Sequence, residues 1–147
     1  MTTSPVPPAH CLCRSVKLTF HEDARPMATH CYCKDCSHNG GGFSQLSLIL
    51  DEAAVTVEDP ENLVVTYGIQ GTESGLVKRK SFCGRCGCTL FTKTDLYKEK
   101  VFVVASLTEG GCALYKPNLE VYTKNRPAYL TAVEGAIQFD GAPEGVL

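Results

Sequence analysis

Apolar residues recur at alternate positions in short stretches: Val16, Leu18 and Phe20, then Leu46, Leu48 and Leu50, then Val55 and Val57. A period of two is the mark of a strand with one buried face. Further runs rich in β-branched and aromatic residues follow at LVVTY (63–67), TLFT (89–92), VFVVASL (101–107), LEVY (119–122) and AIQF (136–139). Glycine, proline, asparagine and aspartate separate them, as strand-ending turns require. Helical periodicity is nearly absent, apart from single turns around Cys33 to Asn39 and Asp51 to Ala54. The pattern predicts a mainly β domain of antiparallel strands joined by long loops. Residues 1–9, with three prolines and small polar residues, read as a flexible leader, and residues 10–147 as one folded domain. No internal repeat interrupts it.

A chain of 147 residues suits one core. Its 14 basic and 16 acidic residues give a net charge of −2, so nothing draws it to nucleic acid or an anionic membrane, and neither is expected as a partner. The basic cluster Lys78-Arg79-Lys80 reads as a solvated strand face or loop. No apolar run approaches the ~18 residues of a spanning helix, and the opening residues lack the order of a signal peptide. The expectation is a soluble, cytoplasmic protein, with a homo-oligomer left open.

That compartment bears on the nine cysteines. A reducing cytosol and an odd count argue against a disulfide framework and for metal binding. Seven fall into clusters: Cys11 and Cys13, then Cys31, Cys33 and Cys36, then Cys83 and Cys86. Zinc takes four ligands in a tetrahedron, and two short-range pairs from distant parts of the chain close such a site. The pairs Cys11/Cys13 and Cys83/Cys86 are natural partners, with Gly84 and Gly87 permitting a tight turn around the second. A redox role for that second pair lacks the βαβ setting it would need. Cys31, Cys33 and Cys36 then stand alone as three thiolates with a fourth corner open, the arrangement of a catalytic zinc, unless His38, Cys88 or His30 closes it. His38 is the candidate proton carrier there. Gly40, Gly41 and Gly42 offer backbone amides to an oxyanion, and Gln45 is a further candidate for substrate binding. Cys88 reads as a small buried residue, Cys112 as a free loop thiol, and Arg126 as the partner of an acid, with binding of an anionic substrate as its alternative.

The order CxC, then CxCxxC with glycines, then FCxxCG resembles the glutathione-dependent formaldehyde-activating enzyme family, which includes centromere protein V. CLCRSVKLTF, CYCKDCSHNGGGFSQL, YGIQGTESGLVKRKSFCGRCGCTLF and PNLEVYTKNRPAYL carry the likeness across nearly the whole folded chain. The resemblance implies a β-tent fold of packed antiparallel sheets with two zinc ions. Cys11, Cys13, Cys83 and Cys86 would hold the structural zinc, and Cys31, Cys33 and Cys36 the catalytic one. It implies a carbon–sulfur lyase type of activity on a small-molecule substrate, with glutathione as co-substrate. This sequence departs from the family pattern at four places: Arg14 stands where glycine is usual, Tyr32 where histidine is usual, Ser37-His38 where a basic residue follows the third cysteine, and Glu120 where histidine is common. Two other readings compete with an enzyme: a non-catalytic zinc module that binds protein partners, and a redox sensor built on Cys31, Cys33 and Cys36.

Overall fold

The computed structural model describes residues 6–147, so residues 1–5 of the expected leader lie outside the described residues. The rest of that leader is part of the fold. Val6 is buried and Ala9 fully so, and Ala9 pairs with Leu18, because a strand this short stays ordered only when its apolar side chains are covered.

Eleven strands form two sheets among the described residues. β1 (Ala9–His10), β2 (Lys17–Phe20) and β5 (Val55–Glu58) make a small antiparallel sheet in the order β1-β2-β5. The large sheet takes β3 (Met27–Cys31), β4 (Gln45–Asp51), β6 (Val64–Ile69), β7 (Lys78–Cys83) and β8 (Thr89–Thr94). It is completed by β9 (Lys100–Val104), β10 (Leu119–Val121) and β11 (Ile137–Phe139), and runs β11-β10-β3-β4-β9-β8-β7-β6. The mainly β expectation holds. The antiparallel one holds with an exception: β10 runs parallel to both β3 and β11, so the large sheet is mixed. A single α-helix, α1 (Lys34–Gly40), follows β3. Too short to cross a membrane, it leaves no helix among the described residues that could.

The alternation along the central strands divides two kinds of work. Ala28, Leu48, Leu50, Val101 and Val103 point to one face and pack with Ala9 and Leu18 of the small sheet and with Val16 just before β2. Leu18, Leu48 and Val103 are fully buried there, each worth roughly 1.5–3 kcal/mol relative to an exposed position. A register shift between Ser81 and Phe82 leaves Leu90 without a directly opposed residue and lets it join this core. The intervening residues, Thr29, Cys31, Ser47, Ile49, Phe102 and Val121, face the other way. Ile49, Leu119 and Val121 form a second, smaller cluster with Phe102, Tyr122, Phe139 and Leu147.

Two strands that the apolar pattern does not predict, β3 and β7, lie inside the large sheet. Their sequences, MATHC and KRKSFC, carry no alternation because each face mixes polar with apolar residues: His30 shares a face with Ala28 and Thr29 with Cys31, while Arg79 and Ser81 share a face with Cys83 and Lys78 and Lys80 with Phe82.

Candidate metal and substrate site

Cys11 and Cys13 leave the end of β1, while Cys83 ends β7 and Cys86 sits in the turn before β8. Their four sulfurs lie within 4.8 Å of one another. Cys11 and Cys13 are 3.5 Å apart and Cys13 and Cys83 3.7 Å. Sulfurs ~2.3 Å from a common ion in a tetrahedron stand about 3.8 Å apart, so the donor set fits zinc. Local backbone conformation builds it. Arg14 takes the left-handed conformation at φ 64°, and its amide donates to the Cys11 carbonyl. Gly87 does the same at φ 72°, its amide donating to the Cys83 carbonyl, and the Val16 amide donates to the Cys11 sulfur. The amide of Ser15 leads in holding the Cys13 thiol down to about 6, whereas burial pushes Cys11 up to about 11.

The second group is Cys31, Cys33 and Cys36, whose sulfurs also lie within 4.8 Å of one another. Cys31 ends β3 and Cys36 lies in the first turn of α1. Cys33 caps that helix, its sulfur accepting from the Cys36 amide at 3.4 Å. Among the described residues no fourth cysteine, histidine or carboxylate joins the group. Lys78 of β7 does reach it, its ammonium donating to the Cys36 sulfur at 3.0 Å. Bonds from Cys31 and Cys33, together with the Lys78 charge, hold the Cys36 thiol far below its ordinary range, while bonds to Cys33 and Cys36 push Cys31 far up. Burial works against the charge on Lys78, but the field of Cys36 and Cys33 outweighs it and raises the lysine. Lys78 is therefore not the solvated residue the basic run suggests.

A cavity of about 90 Å³ opens beside this trio. Its floor is this second face of the large sheet, where Thr29, Ser47 and Thr92 sit among Ile49, Phe102 and Val121, and its walls include Tyr122 and Leu147. Burial raises the Tyr122 hydroxyl to about 12, and the neighbouring thiols add to that, so it stays protonated. Asp35, Glu73 and Lys78 are the charged residues of the lining.

The other predicted site residues go elsewhere. His38 is exposed on α1 and does not line the cavity. Gly41 adopts φ 68° and caps the helix, its amide meeting the His38 and Ser37 carbonyls. Gly40, Gly42 and Gln45 line a separate cleft with His30, Cys88 and Cys112. That placement removes His38, His30 and Cys88 as the fourth corner of the trio. Gln45 is occupied, accepting from Asn39 and donating to Ser47. Cys88 is half-buried against the main core and Cys112 is exposed.

Two departures from the family pattern meet in space. The Tyr32 hydroxyl donates to Glu120 at 2.6 Å, and Glu120 is fully buried. Glu120 also accepts from Gln138, from the Val133 amide and from Arg126, the acid pairing expected of that arginine. The Arg126 guanidinium lies 5.8 Å from the centre of the Tyr32 ring. The turn carrying Cys31 and Cys33 is thus clamped from behind. Lys78, Thr29, Asp35 and Glu73 are the residues that sequence reasoning missed. Only the face alternation of β3 and β7 would have revealed the first two, and neither strand is legible as one.

Comparison with known proteins places the pattern. The model of the family described as glutathione-dependent formaldehyde-activating enzyme matches residues 6–125. No curated protein matches the chain. Among solved structures it is similar to a protein of Rhodobacter sphaeroides at 16% identity and a TM-score of 0.57, covering 75% of this chain and 96% of that one. At that identity the likeness concerns the fold alone.

Proposed function

The chain belongs to the glutathione-dependent formaldehyde-activating enzyme family, and from that premise we propose a zinc-dependent carbon–sulfur lyase acting on a small molecule, either a glutathione–aldehyde adduct or a related activated carbonyl compound. The observation that carries the reading is the trio Cys31, Cys33 and Cys36 opening onto a cavity with no fourth protein ligand among the described residues.

In this reading Cys11, Cys13, Cys83 and Cys86 hold a structural zinc, and Cys31, Cys33 and Cys36 hold a catalytic one. Bound there, zinc supplies a Lewis acid that polarises a carbonyl or holds a thiolate. The rest falls to the chain's own side chains. Three thiolates outweigh a divalent cation by one negative charge, and the Lys78 ammonium against Cys36 offsets it. The Tyr32–Glu120–Arg126 clamp fixes the orientation of the Cys31 to Cys33 turn. His38 does not reach the cavity, so proton transfer belongs to its lining carboxyls, Asp35 and Glu73.

The test is zinc content per chain, measured in wild type, Cys31→Ser and Cys83→Ser alongside a folding probe. Two zincs are expected in the wild type. Cys31→Ser should lose one and stay folded, while Cys83→Ser should unfold or aggregate. A single zinc in the wild type, or unfolding of both variants, defeats the open-site reading. Glutathione with a panel of aldehydes, followed by loss of free thiol, then tests the reaction. Two zincs with no such reaction at any aldehyde would favour the non-catalytic module.

A further inference from the structure

The loop between β6 and β7, residues 70–76, walls the cavity on one side with Thr72, Glu73 and Ser74. It is built to hold its own shape. The Thr72 hydroxyl donates to the Leu76 carbonyl at 2.6 Å, and the Gly75 amide donates to the Thr72 carbonyl at 3.0 Å. The Ser74 hydroxyl adds two more bonds, one with the Thr72 hydroxyl at 3.1 Å and one from the Leu76 amide at 3.4 Å. Gly71, at φ 65°, supplies the left-handed turn by which the chain leaves β6. A loop closed on itself in this way swings as one piece about its ends.

One side chain holds it to the rest of the protein. Among the described residues, every hydrogen bond or ion pair outside the sheet ladder that leaves residues 70–76 for the rest of the chain ends on the Glu73 carboxylate. One oxygen accepts from the Lys34 amide and from the Asn125 side-chain amide, both at 3.0 Å, and the other faces the Lys124 ammonium at 3.4 Å. Lys34 opens α1, between Cys33 and Cys36, so the carboxylate ties the loop to the backbone of the trio itself. Asn125 also donates to the Tyr32 carbonyl at 3.3 Å, which anchors its end of the latch to the same turn. By contrast Thr29, Ser47 and Thr92 lie on strands paired on both sides, a wall that cannot yield locally.

Size calls for movement. The cavity is about 90 Å³, less than the roughly 150 Å³ of one that takes up benzene, and Cys33 and Cys36 are each 6% exposed. A glutathione adduct is far larger than benzene, so the reading above needs a wall that gives way. We infer that residues 70–76 are a lid over Cys31, Cys33 and Cys36, latched by Glu73, and that release of this carboxylate from Lys34, Asn125 and Lys124 is the step that opens the site. The inference deepens the reading above and rests on the trio being the reactive centre. Bonds to a charged acceptor are the stronger kind, yet those made by a single side chain at the surface break and re-form without unfolding the sheets. The carboxyl that lines the closed cavity is thus also its fastening.

The test treats the full-length protein as purified with iodoacetamide, follows alkylation of each cysteine by peptide mass, and measures amide hydrogen exchange on the same samples. Glu73→Ala should speed alkylation of Cys36 about 10- to 100-fold, and exchange at residues 70–76 and at Lys34 by a similar factor, with a melting temperature near that of wild type. Asn125→Ala removes one donor and should raise both less, about 3- to 10-fold. Cys112, already exposed and lining another cleft, is the internal control and should react at one rate in all three proteins. Unchanged alkylation and exchange in Glu73→Ala would overturn the inference, as would exchange that rises equally in β4 and β9, the sign of general loosening. The two readings fail separately: absent zinc with these accelerations present defeats the enzyme proposal alone, and two zincs without them defeat the lid alone.

Discussion

Glu120 is the charge this protein is least able to leave unpaired. It is fully buried, so burial alone would raise its carboxyl, but hydrogen bonds from Tyr32, Gln138 and the Val133 amide, with Arg126 beside them, outweigh burial and hold it below its ordinary 4.5. Glu120→Gln keeps the shape and loses the charge, and should cost about 1–3 kcal/mol, read as a fall of roughly 3–10 °C in melting temperature. The pH dependence has a definite sign. In the folded state the group binds fewer protons than in the unfolded state, so its contribution is whole above 4.5 and is lost as pH falls from there through its folded value. The gap between wild type and Glu120→Gln should stay constant at neutral pH and narrow in acid below 4.5, and a gap that widens there contradicts the clamp. Lys78 bears at the same scale on the zinc proposed for the trio. Lys78→Met keeps the stem and removes the ammonium from Cys36, and should weaken zinc at the trio by about 10- to 100-fold, measured by competition with a chromophoric chelator.

At the scale of elements, the legible strands and the functional ones differ. β4 and β9 read clearly because Leu48, Leu50, Val101 and Val103 all serve the main core. β3 and β7 serve two masters: Ala28 faces the core while Thr29 and Cys31 face the cavity, and in β7 Cys83 is buried while Lys78 reaches Cys36. Polar residues on the inward side erase the period of two, so the strands that build the site look like loops. The cysteine clusters were readable because thiolate spacing is set by metal geometry and needs no tertiary context. The role given to the three glycines was not, since a helix cap and an anion nest use the same residue. Gly41 is the decisive one: at φ 68°, with nothing within 4 Å of an added Cβ, its substitution meets only backbone strain. Gly41→Ala should therefore cost about 1–2 kcal/mol and lower the melting temperature by roughly 2–8 °C, with zinc content unchanged. Gly41→Asn, better suited to the left-handed conformation, should recover most of that. Lost zinc or lost activity in Gly41→Asn would return the glycine to the site.

Across the whole molecule, the four-cysteine group joins the two sheets. Cys11 and Cys13 belong to the loop from β1 to β2, Cys83 to the end of β7 and Cys86 to the turn before β8, and the two halves are 70 residues apart between Cys13 and Cys83. The small sheet has three short strands, and its buried face is covered only where it lies on the large one. An isolated sheet of that size is marginal in water, so a cross-link at its edge matters more than one inside the large sheet. The trio spans only the end of β3 and the first turn of α1, with Lys78 alone reaching over from β7. Structural zinc contributes an apparent binding energy on the order of 10 kcal/mol, which is comparable with the whole stability of a domain. Stripping both ions with a chelator should therefore lower the melting temperature by tens of degrees in wild type, while Cys31→Ser, lacking only the trio's ion, should melt near wild type before chelation and with chelated wild type after it. Hydrogen exchange locates the cause: protection at β2 and β5 should fall first on chelation, with β4 and β9 holding longest. Loss that begins in β3 and α1, or that spreads evenly over both sheets, would show that the fold does not hang on the four-cysteine cross-link.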